Sequence, residues 1–159
     1  FDNSKKKDET YYINTNQTFT YDADAGTVTA TYGNATPKAH ADTLFTAQDE
    51  TDGKGTEGEV ATRGLKYNFI KTIKAQAAGI LQDTDWYILR KADADTDVPS
   101  AITTFRAAVR TKAAAMETLI TNASNTAAIE TLYTYVNTAD EGDPVVMERP
   151  LGEFPELGS

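Results

Sequence analysis

Apolar residues alternate with polar ones in the first part of the chain and recur at helical spacing in the rest, with the change of period near Val60. Before it, Tyr11 with Ile13, Phe19 with Tyr21, and Val28 with Ala30 and Tyr32 alternate with polar neighbours, the mark of half-buried strands. The stretch Asp-Ala-Asp-Ala-Gly at 22–26 separates the last two runs and is a turn signal, with Gly26 free to take positive φ. A hairpin with one further strand before it is the expected element. A lone two-stranded hairpin is marginal in water, so its apolar face needs a cover from the helices or from a neighbouring chain.

After Val60 the pattern turns helical. Leu65, Phe69, Ile73, Ala77, Ile80 and Leu81 fall on one stripe, with Lys66, Lys71 and Lys74 opposite or flanking, and Gly79 weakens the helix near its expected end. Asp83, Thr84 and Asp85 then offer capping groups for a short turn carrying Trp86, Ile88 and Leu89, followed by a polar link over residues 91–97. Pro99 suits the first turn of the next helix, with Asp97 as its candidate cap. In that helix, predicted to run to about Asn122, Ile102, Phe105, Val109, Met116, Leu119 and Ile120 form a stripe. The seven-residue steps from Ile102 to Val109 to Met116 resemble a coiled-coil seam, but too few heptads are present to choose it over a helical hairpin. A third helix is predicted from Thr126 to Val136 after a Ser124-Asn125 start, with Ile129, Leu132, Tyr133 and Val136 inward.

The expected organisation is a charged flexible arm over residues 1–9, a strand and hairpin element over 10–33, and an acidic Gly-rich loop over 34–59 anchored by Leu44-Phe45. A helical domain follows over 60–138, and an extended Pro-containing tail over 139–159. The fold class is α+β: a small N-terminal antiparallel strand element, a three-helix hairpin or bundle, and the tail.

Composition narrows the functions. A net charge of −9 opposes nucleic-acid binding, which depends on clustered Lys and Arg. The chain has no cysteine, which excludes disulfides, thiolate nucleophiles and zinc-thiolate sites. No apolar run approaches a membrane span, and the polar residues 1–10 lack the apolar core of a signal peptide. Threonine makes up about one residue in six, and helices so rich in it must lean on tertiary packing or on a partner.

Two patterns overlap between Gln48 and Glu59. Gly53, Gly55 and Gly58 have the spacing of a dinucleotide-binding turn, but Asp49, Glu50 and Asp52 beside them repel phosphate and no buried strand leads in. Glu50, Asp52, Gly53 and Glu59 nearly fit a calcium loop, with Gln48 in place of its first acid, so a divalent cation site is the distant alternative to a plain acidic loop. His40 is the single histidine and lies in a polar segment, where a solvated role is expected. The sequons at Asn16, Asn34 and Asn122 are expected by chance in so Thr-rich a chain. No catalytic residue, cofactor or metal site is expected.

The candidate site residues are therefore of the interface kind: Trp86, Tyr87, Arg90, Phe105, Arg106 and Arg110. Trp86 has two readings, a cap on the core between helices and an anchor at a protein contact. Arg106 and Arg110, one turn apart, present a paired basic face for an acidic partner, or pair internally with Asp83 and Asp85.

The same region carries a resemblance. Leu81, Thr84, Asp85, Trp86, Pro99, Phe105, Arg106, Val109 and Arg110, within about a fifth of the chain, resemble the motif of the tail-assembly chaperone family of tailed phages. That family carries it close to the C-terminus, whereas here about fifty residues follow Arg110, which ranks the chaperone role second. More loosely, the whole chain, with its Tyr-rich start, long second half and the stretch Asn137-Thr138-Ala139-Asp140-Glu141-Gly142-Asp143-Pro144, looks like small structural proteins of marine T4-like phages. The likeness implies a non-enzymatic virion component, tail- or fibre-associated and assembled in the host cytoplasm. Its partners would be other phage structural proteins or its own copies, with neither nucleic acid nor membrane. The alternative it implies is a tail-fibre assembly chaperone.

Overall fold

The computed structural model describes residues 2–158 except Asn16. Phe1 of the expected arm, Asn16 of the first sequon and Ser159 of the tail lie outside the described residues. The fold is α+β, with five helices and four antiparallel strand pairs among the described residues, in two compact units.

The first unit comprises residues 1–65 and 125–130. β1 (Tyr12–Ile13) is followed by the hairpin of β2 (Thr18–Asp22) and β3 (Thr27–Thr31), and then by β4 (Thr36–Pro37) and β5 (Thr43–Leu44). The short helix α1 (Ala47–Thr51) and β6 (Val60–Thr62) complete the strand-rich part. The hairpin forms as its sequence predicts. Asp22 accepts from the Asp24 and Ala25 amides at 3.0 Å, and Gly26 turns the chain at φ +63°. Phe19 pairs with Ala30 and Tyr21 with Val28, so the apolar side chains share a face, and the threonines occupy the other.

Three expectations for this unit change. The helical period expected from about Val60 starts later, because Val60–Thr62 form β6, while the strand expected before the hairpin is present as β1 and pairs with β4. The segment 34–59, expected as a loop, holds β4, β5 and α1, with β5 paired to β6. Thr46 and Asp49 cap α1 reciprocally, a local signal that competes with the loop-like composition. Of its expected apolar anchors, Leu44 is exposed, while Phe45 is half-buried over Gly55, where a Cβ would come within 2.4 Å of the ring. The arm, in its described residues, is also held: Asp2 bridges Thr31, and Lys7 and Asn14 exchange two hydrogen bonds of 3.0 and 2.8 Å. Buried Tyr12 donates to the Glu130 carboxylate at 2.9 Å, and the Thr126 hydroxyl donates to the Lys38 carbonyl at 2.6 Å. These bonds tie the segment 125–130 to the strands of its own unit.

The second unit comprises residues 66–124 and 131–159. It contains nearly all of α2 (Leu65–Gln82), then α3 (Asp85–Ala94) and α4 (Ser100–Asn122). α5 (Thr126–Tyr133) ends in it, followed by the two-residue strands β7 (Val136–Asn137) and β8 (Met147–Glu148). Its core is Ile73 and Ala77 of α2 with Val109, Ala113, Met116 and Ile120 of α4, closed by Leu151 from the tail. Burying each of the larger side chains contributes about 1.5–3 kcal/mol.

The buried face of α4 is Ile102, Arg106, Val109, Ala113, Met116 and Ile120, an unbroken alternation of four- and three-residue steps. Leu119, expected on it, is 40 % exposed, because its neighbour Ile120 takes the seam position. α5 stops at Tyr133 and Val136 is exposed in β7. Asn125 starts α5 as expected, accepting from the Ala128 amide at 2.9 Å. The expected short turn at Trp86 is a ten-residue helix, α3, free of Gly and Pro, none of whose residues is buried. No helix among the described residues is long and apolar enough to cross a membrane.

Candidate functional site

Four of the six candidate residues sit at or beside the α2–α3 junction, Arg106 as an inner group and Trp86, Tyr87 and Arg90 as an outer one on α3, while Phe105 lines a groove and Arg110 stands apart. The inner set is organised by Arg106, which is 7 % exposed. Its Nη1 donates to the Leu81 carbonyl at 2.8 Å and to the Thr84 hydroxyl at 2.6 Å, and lies 2.8 Å from the Asp85 carboxylate. Thr84, 2 % exposed, donates its own hydroxyl to the Leu81 carbonyl at 2.9 Å. The end of α2 leaves carbonyls without intrahelical partners, and a guanidinium from α4 satisfies one of them while fixing the turn. Arg106 therefore takes the internal pairing, with Asp85, and shares no exposed face with Arg110, which is exposed on the next turn. Thr84 and Asp85 do not cap α3 in the expected way: no side-chain cap bond forms at Thr84, and Asp85 faces Arg106. Asp97 likewise pairs with Lys91 at 2.9 Å instead of capping α4.

The outer set lies on α3. Trp86 is 49 % exposed, so it is not the core cap that a lone tryptophan at a helix junction predicts. Its ring lies 4.0 Å from that of Tyr87, and the Arg90 guanidinium sits 4.6 Å above it, a cation–π stack one helical turn long. Ile88 and Leu89 are also exposed. The stack stiffens a side chain that its own fold leaves half open, the condition of an interface anchor.

Phe105 lines a groove of about 770 Å³ on the same unit, together with Gly79, Ile80, Phe154 and the exposed Leu157. Its walls include a tail cluster that sequence reading missed. Arg149 grips Glu153 through Nε at 2.7 Å and Nη2 at 2.7 Å, and lies 5.6 and 5.3 Å from the rings of Tyr133 and Tyr135. Tyr135 donates its hydroxyl to the same carboxylate. Burial works to raise the Glu153 pKa, but the Tyr135 hydrogen bond and the Arg149 pair outweigh it and hold the carboxyl below its ordinary value. No local signal marks this pair, because residues 149–153 are not helical and the i,i+4 rule holds only on a helix.

The remaining candidates stand apart. His40 is half-buried in a shallow pocket with Tyr12 and Thr126. In the Gln48 to Glu59 segment, Asp49 accepts from Thr46 and Lys54, Asp52 from Gln48 and Lys54, and Glu50 from the Glu57 amide. Those carboxylates serve the segment's own fold, and among the described residues no three His, Cys, Asp or Glu side chains gather as metal ligands do.

No family model matches the chain, and no curated protein or solved structure matches it.

Proposed function

We propose that the protein is a non-enzymatic structural component of a tailed-phage particle, tail- or fibre-associated, that acts by packing against neighbouring subunits. The observation that carries a packing role is the apolar surface left open on ordered elements. Phe19, Tyr21 and Val28, each more than 60 % exposed, stand open on the hairpin's apolar face beside the buried Ala30, and Trp86 and Leu89 stand out on α3. Soluble chains seldom leave such faces bare unless another surface meets them. The phage assignment rests on the whole-chain likeness and on the resemblance at Leu81, Thr84, Asp85, Trp86, Pro99, Phe105, Arg106, Val109 and Arg110, of which Leu81, Thr84, Asp85 and Arg106 meet in one cluster. A tail-fibre assembly chaperone is the second reading, favoured by the half-exposed Trp86–Arg90 stack as an anchor for a transient client.

Quantitative mass spectrometry of purified particles tests this. A fixed copy number, a multiple of three, five or six, is expected for a structural component. Trace amounts in particles with abundance in infected-cell lysate would reject it in favour of the chaperone, and absence from both would reject the phage reading altogether.

A further inference from the structure

The two edges of the hairpin differ. On the β3 side the Asp2 amide donates to the Ala30 carbonyl at 2.8 Å and Asp2 bridges Thr31, so the chain's own start takes part of that edge. On the β2 side no strand pairs, among the described residues. The Asp2 bond also fixes which groups point where, because in an antiparallel pair each residue turns its N–H and C=O to the same side, inward and outward by turns. The Ala30 carbonyl points away from β2, so Ala30 and its partner Phe19 are a non-hydrogen-bonded pair, as are Val28 and Tyr21 two residues on. Phe19 and Tyr21 therefore aim their N–H and C=O groups out of the open edge, where neither finds a backbone partner among the described residues.

From this geometry we infer that β2 pairs with β2 of a second copy, antiparallel about a two-fold axis at Thr20, making one sheet in the order β3, β2, β2, β3. In that register Phe19 of each copy lies across from Tyr21 of the other, so every outward N–H meets an outward C=O and the aromatic rings adjoin across the join. At either end Thr18 meets Asp22, a hydroxyl donor against a carboxylate. Asp22 is the one charge on β2, and the two copies of it stay about 14 Å apart along the strands, beyond the screening length of about 8 Å.

Other registers lose these matches. A slip of one residue sets outward groups against inward ones. A slip of two either brings the Asp22 carboxylates to about 7 Å or places Tyr21 across from Gln17 and leaves Asp22 beyond the pairing. A strand that is its own complement in one register selects a second copy as its partner, even on a chain of net charge −9. The join also turns a marginal two-stranded hairpin into a sheet of stable size. The inference rests on the packing role proposed above, whose partner it names, and not on the phage assignment.

The chain has no cysteine, so disulfide trapping in the full-length protein reads the join directly. Thr20 lies on the polar face at the axis, where the two Cα atoms come about 4.5 Å apart, within disulfide reach. Thr29, on the same face of β3, lies about 14 Å from its counterpart across three strand spacings. Under mild oxidation Thr20→Cys should form a covalent dimer about tenfold or more faster than Thr29→Cys. Thr18→Cys should link to Asp22→Cys in a mixture and not to itself. Sedimentation velocity of the unaltered chain should show a dimer that grows with concentration. A single chain at every concentration would overturn the inference. So would a dimer in which Thr20→Cys links no faster than Thr29→Cys, the result if the apolar faces stack and leave the threonines outside. Neither result would alter a fixed copy number in particles, so failure of this pairing and failure of the particle reading are told apart.

Discussion

Replacing Arg106 with methionine keeps bulk in the α4 seam and removes the donor that joins Leu81, Thr84 and Asp85. Hydrogen bonds to a charged group are each worth about 1.5–3 kcal/mol, and some of the loss is recovered because Asp85 is half exposed and can hydrate. The expected cost is about 2–3 kcal/mol. Trp86→Ala should cost less than about 1 kcal/mol, chiefly the cation–π stack with Arg90. Urea unfolding of the two variants checks the order, and the reverse order would return Trp86 to the core. Asp49 gives a pH test at the same scale. The Thr46 amide, the Thr46 hydroxyl and Lys54 hold its carboxyl down to about 2. Its folded pKa is depressed, so the capping contribution is complete above the ordinary value of 3.8 and is lost as pH falls through about 2. Carbon-detected NMR should place the Asp49 midpoint near 2 with α1 amides moving in step. A midpoint near the ordinary value would mean that the cap is not formed.

At the scale of elements, legibility follows the length of the local signal. α2 and α4 repeat their apolar stripe over several turns, so α4 is readable to within a residue or two, whereas the helical period expected from about Val60 begins only at Leu65, after β6; the hairpin has both alternation and a turn. The pairs β1 with β4 and β5 with β6 join two or three residues from distant places, and two residues carry no period. Within α4 the seam was half read. The stripe held Ile102, Val109, Met116 and Ile120 of the seam, but it left out Ala113 and Arg106, the latter read as half of a basic pair, and it included Leu119. For the candidate residues, sequence grouped Trp86, Tyr87, Arg90 and Arg106 but could not divide them, because nothing local tells an inward arginine from an outward one. The correction is testable. Ile120→Ala and Leu151→Ala, both 0 % exposed, should each cost about 2–5 kcal/mol, while Leu119→Ala should cost less than about 1 kcal/mol. Comparable losses at Leu119 and Ile120 would restore the broader stripe.

For the whole molecule, charge and apolar exposure pull against each other. A net charge of −9 drives copies apart, while Phe19, Tyr21 and Val28 leave an apolar face on the hairpin, and among the described residues β2 pairs with no strand but β3. Threonines on the opposite face satisfy the strand geometry without supplying a core, so a second layer or a further strand must come from elsewhere if the hairpin is to be more than marginal. Packing between copies would meet this need, and its salt dependence separates it from association through ion pairs. Raising salt from about 0.01 M to about 1 M shortens the screening length from about 30 Å to about 3 Å. If copies join through apolar faces against mutual repulsion, the mass found by sedimentation velocity should rise across that range, and Phe19→Ser with Tyr21→Ser should abolish the rise. A mass that falls with salt would show that charge pairs hold the copies together. A mass that stays at one chain throughout would leave the hairpin face to a different protein.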